Sequence, residues 1–353
     1  MKPKPFKKSL LALIVGAIST QVLAVEVDLG QGKSTWSGEK FSESLTFTGT
    51  VTQPTNVTAS RGISNWMGVS VADTSIQGSL INRANINLDG QGLDIHGFAV
   101  DPSLQLTANP GSSTITGDVI QAADITQSNG AFQAFEIGAT NIGGSVINSG
   151  TIQSTAPVSN PWTFRDGIRL HGTTVAGDVS NTGVIRMMGV NSLAMLLDRG
   201  GVFPISIGGK ILNSGTLSVT GDDSWAFEVE TSTSPLRIEN SGLISANGAA
   251  SAGVVFHDGT VDYILNTGTI EAKGEKADAF DFHGATFAQN SAPGSRGIVN
   301  RGTISADGVA IYADIDEQTS PFEINQQAGE IRSNSGTAID AANLASLNWS
   351  GGK

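Results

Sequence analysis

Four histidines and four acidic residues, Asp258, Glu136, Glu228 and Asp281, recur in settings from which this chain could do acid–base or metal chemistry. His96, His171, His257 and His283 each close a short apolar run and are soon followed by glycine. The four settings read Ile95–His96–Gly97, Leu170–His171–Gly172, Phe256–His257–Asp258–Gly259 and Phe282–His283–Gly284. A setting that recurs predicts one corner of a repeating structure, with His257 and His283 on neighbouring repeats. Stacked imidazoles beside Asp258 could ligate a metal, because neutral imidazole and carboxylate are ordinary donors. No third fixed ligand is identifiable, so no metal is assigned and a turn that tolerates a partly exposed imidazole is expected. Glu136, Glu228 and Asp281 share the alternate position of a second recurring run, which predicts a solvated acidic strip. Glycoside hydrolysis needs two carboxylates at a set separation in a cleft, with aromatic and Arg side chains around them. Here the acids fall on distant repeats and there are only two tyrosines. No Gly–x–Ser–x–Gly elbow, phosphate loop or His–Glu–x–x–His is present, so no catalytic residue and no cofactor are assigned.

The elements that position these residues are repeats. The phrase apolar–x–Asn–x–Gly–x–apolar appears as Val146–Ile152, Val179–Ile185, Ile211–Leu217 and Ile238–Ile244, with close copies at Ile264–Ile270 and Ile298–Ile304. Weaker copies lie at Leu80–Ile86, Val119–Ile125 and Asn325–Ile331. A second phrase, small–apolar–x–apolar, appears as Ala134–Ile137, Ala226–Val229, Gly253–Phe256 and Ala279–Phe282. The two keep step, ten residues apart, at Ile125 and Phe135, Ile185 and Met195, Leu217 and Phe227, Ile244 and Val254, and Ile270 and Phe280.

Successive asparagines Asn148, Asn181, Asn213, Asn240, Asn266 and Asn300 are separated by 33, 32, 27, 26 and 34 residues, and Gln327 follows after 27. Repeats of this length are solenoid units, none able to bury its apolar side alone. Within each phrase the period is two, the signature of short half-buried strands. The Asn–x–Gly pair predicts a tight corner where glycine, and less readily asparagine, takes positive φ. Stacked asparagines can also bond amide to amide along the axis, so these six are read as a structural turn ladder. The fold class is all-β, a right-handed parallel β-helix of roughly nine or ten coils, a rod on the order of 45 Å long. Residues 25–65 do not carry the repeat and are expected to cap the first coil, with the β-helix running over 66–353.

Residues 1–24 read as an export signal: Lys2, Lys4, Lys7 and Lys8, an apolar run from Leu10 to Ile18, and Val22–Leu23–Ala24 before a cleavage point between Ala24 and Val25. The run is too short to span a bilayer as a helix. Removing the four signal lysines takes the net charge from −12 to −16, with 16 basic against 32 acidic residues. That balance argues against nucleic acid as a partner. There is no cysteine, which suits a chain that must stay unfolded while it crosses a second membrane.

The phrase Asn–Ser–Gly–Thr–Ile, repeated after a signal peptide in a cysteine-free chain rich in Gly, Asn and Thr, resembles the passenger region of bacterial autotransporters (type V secretion). The resemblance runs from about Trp66 to Ala341. It implies a passenger at the cell surface or outer membrane, or extracellular, exported by a C-terminal β-barrel expected in the same gene. It also implies adhesion to receptors on host or bacterial surfaces, and the absent catalytic motifs make the expected role non-enzymatic. A barrel of eight or more strands needs on the order of 100–150 residues, and only 22 follow Ile331. The Asn–Pro–Asn motif of two-partner secretion is absent, so a longer gene is expected. A β-helical polysaccharide lyase or hydrolase is the alternative reading, and a structural spacer the third.

Overall fold

Alternation at period two, with β-branched and aromatic residues inward, makes each short run a strand that can pair only with its own copies. The computed structural model describes residues 25–31, 35–53, 65–88, 94–100, 113–128, 130, 132–156, 165–198, 205–288, 296–314 and 319–353. Within them the chain is a parallel β-helix with four stacked sheets. One turn runs through Val146–Asn148, Thr151–Ser154, Arg165–His171 and Thr174–Val175, and returns to Val179–Asn181 beside its start. The four faces are a ladder sheet of 13 strands, an isoleucine sheet of 10, a phenylalanine sheet of 11 and a short sheet of 6. Strand pairing carries no hand, and the right-handed sense rests on the rule that parallel crossovers turn right-handed in about 98% of cases.

Register fixes the core. Ile125, Ile152, Ile185, Leu217, Ile244 and Ile270 form one buried column. Phe98, Phe135, Ile168, Met195, Phe227, Val254 and Phe280 form another. Rings in this interior stack, Phe98 on Phe135 at 5.2 Å and Phe256 on Phe282 at 5.3 Å. Each such side chain contributes about 1.5–3 kcal/mol by leaving water. The short sheet ends at Ser206–Ile207, and the next two coils, of 27 and 26 residues, carry no strand of it.

The asparagine column is a chain of buried amides. Each Nδ2 donates to the Oδ1 one coil on: Asn148 to Asn181 at 2.8 Å, Asn181 to Asn213 at 2.9 Å, Asn213 to Asn240 at 2.8 Å, Asn240 to Asn266 at 2.9 Å and Asn266 to Asn300 at 2.9 Å. Asn300 donates to Gln326 Oε1 at 2.8 Å, and nearer the N-terminus Asn82 donates to Gln121 Oε1 at 2.7 Å. Gln121 turns its own amide to the Ala123 carbonyl, and Asn148 Oδ1 is left buried without a partner.

Residues 66–353 supply the expected nine to ten coils, and three other expectations are corrected. The chain makes eleven turns among the described residues, because the ladder sheet has twelve strands in succession from Val25–Asp28 to Leu344–Trp349. At about 4.8 Å per rung the rod is on the order of 53 Å long. The extra turns lie in residues 25–53, expected as a separate cap, whose strands pair in parallel with the following coils. Leu45–Thr46–Phe47–Thr48–Gly49–Thr50–Val51 keeps the spacing of the first phrase, with Phe47 standing where the next coil has Asn82. Phe47 packs at 4.5 Å against Trp36, so an aromatic plug replaces the amide in the opening coils.

The ladder member after Asn300 is Gln326, not Gln327. One extra residue is absorbed at Ala328–Gly329, where Gly329 takes φ +69°. Finally, the glycines of the main motif do not need positive φ; Gly150, Gly183, Gly215, Gly242, Gly268 and Gly302 all lie outside that region. They are needed for axial approach. A β-carbon on Gly242 would overlap the carbonyl oxygen of Gly215 one coil earlier, and the same holds up the column.

Two substitutions test this corner. Asn240→Ala strips Asn266 Oδ1 of its donor and is expected to cost about 1–3 kcal/mol, the penalty of one buried unsatisfied group. Gly242→Ala overpacks the corner and is expected to cost about 1–3 kcal/mol. Denaturant unfolding followed by circular dichroism reads both. A loss below about 0.5 kcal/mol in each would mean that this corner does not hold the coils together.

Candidate functional site

The outer side of the phenylalanine sheet carries the chemistry-bearing residues. Inward Phe135 and Ile137 leave Glu136 pointing the other way, and in register with it stand Ala99, Arg169, Leu196, Glu228, Val255, Asp281 and Tyr312. The expected solvated acidic strip is not what this column forms. Charged and apolar residues are interleaved, and Glu136 and Glu228 are each only 3% exposed.

Glu136 is clamped from both sides of its coil. His171 Nε2 lies 3.0 Å from Oε1, and His96 Nδ1 forms a close ion pair with Oε2. Burial opposes ionisation, but the hydrogen bonds from His171 and then His96 overcome it and hold the carboxyl well below the usual range. His171 stands in register with Gly138 and Asp198, whereas His96 pairs with Gln133, five residues earlier in that strand. The four histidines therefore do not share one corner. Gly97–Phe98–Ala99–Val100 is itself a copy of the second phrase, so His96 precedes the small residue where the others follow the apolar end.

A second cluster adjoins it. Arg169 Nε donates to Asp198 Oδ2 at 2.8 Å, and its Nη1 lies 3.9 Å from Asp166. Burial pushes the Asp166 carboxyl up to about 7; Arg169 opposes this, and the charges of Glu136, Glu228 and Asp198 add to it. Sequence reasoning missed Asp166, Arg169 and Asp198. The available signal was Gly167–Ile168–Arg169–Leu170, an unflagged copy of the second phrase. Arg165, on the same strand, is fully buried and is held by the carbonyls of Gly130 at 3.0 Å, Met188 at 2.7 Å and Ala156. Burial lowers its guanidinium to about 10.

Nearer the C-terminus, His257 and His283 sit on neighbouring coils as expected, with ring centroids 5.3 Å apart and planes 12° from parallel. Each imidazole is engaged by its own acid: His257 Nε2 lies 3.0 Å from Glu228 Oε1 and His283 Nε2 3.0 Å from Asp281 Oδ2. Trp225 meets His257 edge-on at 5.8 Å. The hydrogen bond to Glu228 raises the His257 pKa against the opposing effect of burial. Asp258 accepts from the Gly259 N–H at 2.6 Å. Among the described residues no three His, Asp or Glu side chains converge as a metal site would require.

The chain matches no family model, no curated protein and no solved structure. The site is read from its geometry. The imidazole–carboxylate pairs run from the buried His96–Glu136–His171 group to the partly exposed His257–Glu228 and His283–Asp281 pairs.

The buried aspartate gives a pH test. Asp166 keeps its proton in the fold up to about pH 7, while an unfolded chain releases it near 3.8. The folded state thus binds the extra proton in that window, and stability falls as pH rises across it. Glu136 acts with opposite sign, losing its contribution as pH falls below the ordinary value of 4.5. Asp166→Asn is expected to flatten the decline between about pH 4 and about pH 7 in denaturant titrations. An unchanged slope would rule out a neutral buried carboxyl at this position.

Proposed function

We propose that the chain is an exported, non-enzymatic interaction scaffold of the autotransporter-passenger kind, displayed on the cell surface or released from it. In this reading residues 1–24 direct export with cleavage between Ala24 and Val25, an outer-membrane β-barrel carries the chain out, and receptors on host or bacterial surfaces are its partners. Ala24 lies outside the described residues. Val25 opens the first strand of the ladder sheet, so cleavage there would free the strand that begins the rod.

The observation that carries the reading is the uninterrupted stack of eleven turns around one core. In such a solenoid each coil touches only its neighbours, so the turns of every face remain available to a partner over the whole length of the rod. His257, His283, Asp281 and a half-buried Trp225 lie partly open to solvent on the phenylalanine sheet.

The test compares cells that display the chain with cells that do not, by sedimentation of bacterial suspensions and by counting bacteria bound to cultured host cells. Display is expected to increase at least one of the two several-fold. Equal behaviour in both would leave the spacer reading in its place. N-terminal sequencing of the exported protein is expected to begin at Val25.

A further inference from the structure

The corner between the isoleucine and phenylalanine sheets changes size along the rod. From Val219 to Phe227, Ala246 to Val254 and Ala272 to Phe280 the chain spends eight residues, but from Ala306 to Ile311, the same two columns one coil on, it spends five. The longer turns form a ridge. Asp223, Ala250 and Lys276 repeat at its crest with φ of 50°, 51° and 56°, and each turn donates to the next through Asp223 N to Ala249 O and Ala250 N to Glu275 O.

The ridge stops at Gly274–Asp278, where the next coil has no matching turn. There the Asp307 side chain supplies the missing acceptor, taking the Gly274 N–H at 2.9 Å. Asp278 Oδ1 in turn takes the Val309 N–H at 2.6 Å, across Gly308, where a β-carbon would collide with that carboxylate.

This step leaves an open cleft of about 700 Å³. Its floor is Gly308–Val309, the ridge end with Glu275, Lys276 and Asp278 forms one wall, and Tyr312 and Ser335 form the other. The volume is that of an ordinary small-ligand site. Asp307 is already engaged by Gly274 and Asn334, so it shapes the cleft more than it offers acceptors. What remains is a mixture: the Glu275 carboxylate and the second oxygen of Asp278 as acceptors, the Lys276 ammonium as a donor and one aromatic side chain. A ligand rich in hydroxyls both donates and accepts and has C–H faces for a ring. A uronate would meet three carboxylates, and a polycation, which those carboxylates would attract against one ammonium, is the competing occupant that the test must separate.

We propose that this step is a binding site for a neutral saccharide. Binding at the cleft needs neither export nor display, so its test is independent of the cell-surface experiment. Isothermal titration of the purified chain, residues 25–353, with cellotetraose, maltotetraose and chitotetraose is expected to show binding of at least one. Tyr312→Ala and Asp278→Asn are each expected to weaken it ten-fold or more. Lys276→Gly removes the donor while relieving a left-handed backbone, and is expected to weaken binding several-fold with the fold intact by circular dichroism. Failure of all three tetrasaccharides to bind overturns the proposal. So do affinities unchanged in Tyr312→Ala and Lys276→Gly, or tighter binding of tetragalacturonate or tetralysine than of any neutral sugar.

Discussion

The whole architecture depends on backbone approaching backbone along the axis at one corner. There the Asn–x–Gly segments lie so close that a carbonyl of one coil occupies the space of the next residue's missing β-carbon. Because that contact admits no side chain, it fixes the vertical register, and every other column follows from it. The asparagine two residues earlier is then forced into the interior, where its amide must find partners, and its only equivalents lie directly above and below. A polar residue in the middle of an apolar core is thereby a register mark, since a one-residue slip would leave a whole column of amides unpaired.

The same geometry explains why the opposite wall carries buried charge. Parallel stacking repeats each side chain at one height per rung, so like residues in a column are brought within interaction distance whether or not it suits them. On the phenylalanine sheet the sequence avoids a run of like charges by alternating acid, arginine and apolar groups, and by bringing in histidines from the flanking columns. Glu136 is held ionised by two imidazoles, while Asp166 keeps its proton chiefly because it is buried, with the nearby carboxylates adding to that effect against Arg169.

The fold was legible in the sequence wherever the motif was intact. The two phrases and their ten-residue offset placed the Ile125–Ile270 and Phe135–Phe280 columns as the pairing has them. Legibility failed where a position kept its geometry but changed its chemistry. Phe47 hid a coil because it fills the asparagine's place with a ring, and the extra residue at Ala328–Gly329 moved the ladder from Gln327 to Gln326. The candidate site was less legible still. Its partners, such as Glu136 and His171, lie 35 residues apart, and whether an outward acid meets water or an imidazole depends on neighbouring columns that no single motif encodes. The cleft beside Asp278 arises from three missing residues, a signal visible only once the columns are aligned.

The amide column also has a direction and a fault. Every member from Asn148 to Asn300 hands its hydrogen toward the C-terminal end, so the dipoles add, and reversing one would require reversing all. Between Gln121 and Asn148 the relay is cut, because Gln121 turns aside and the Asn148 oxygen receives nothing. The side-chain relay is thus divided at that step, while backbone pairing of Val119–Gln121 with Val146–Asn148 carries the corner across it.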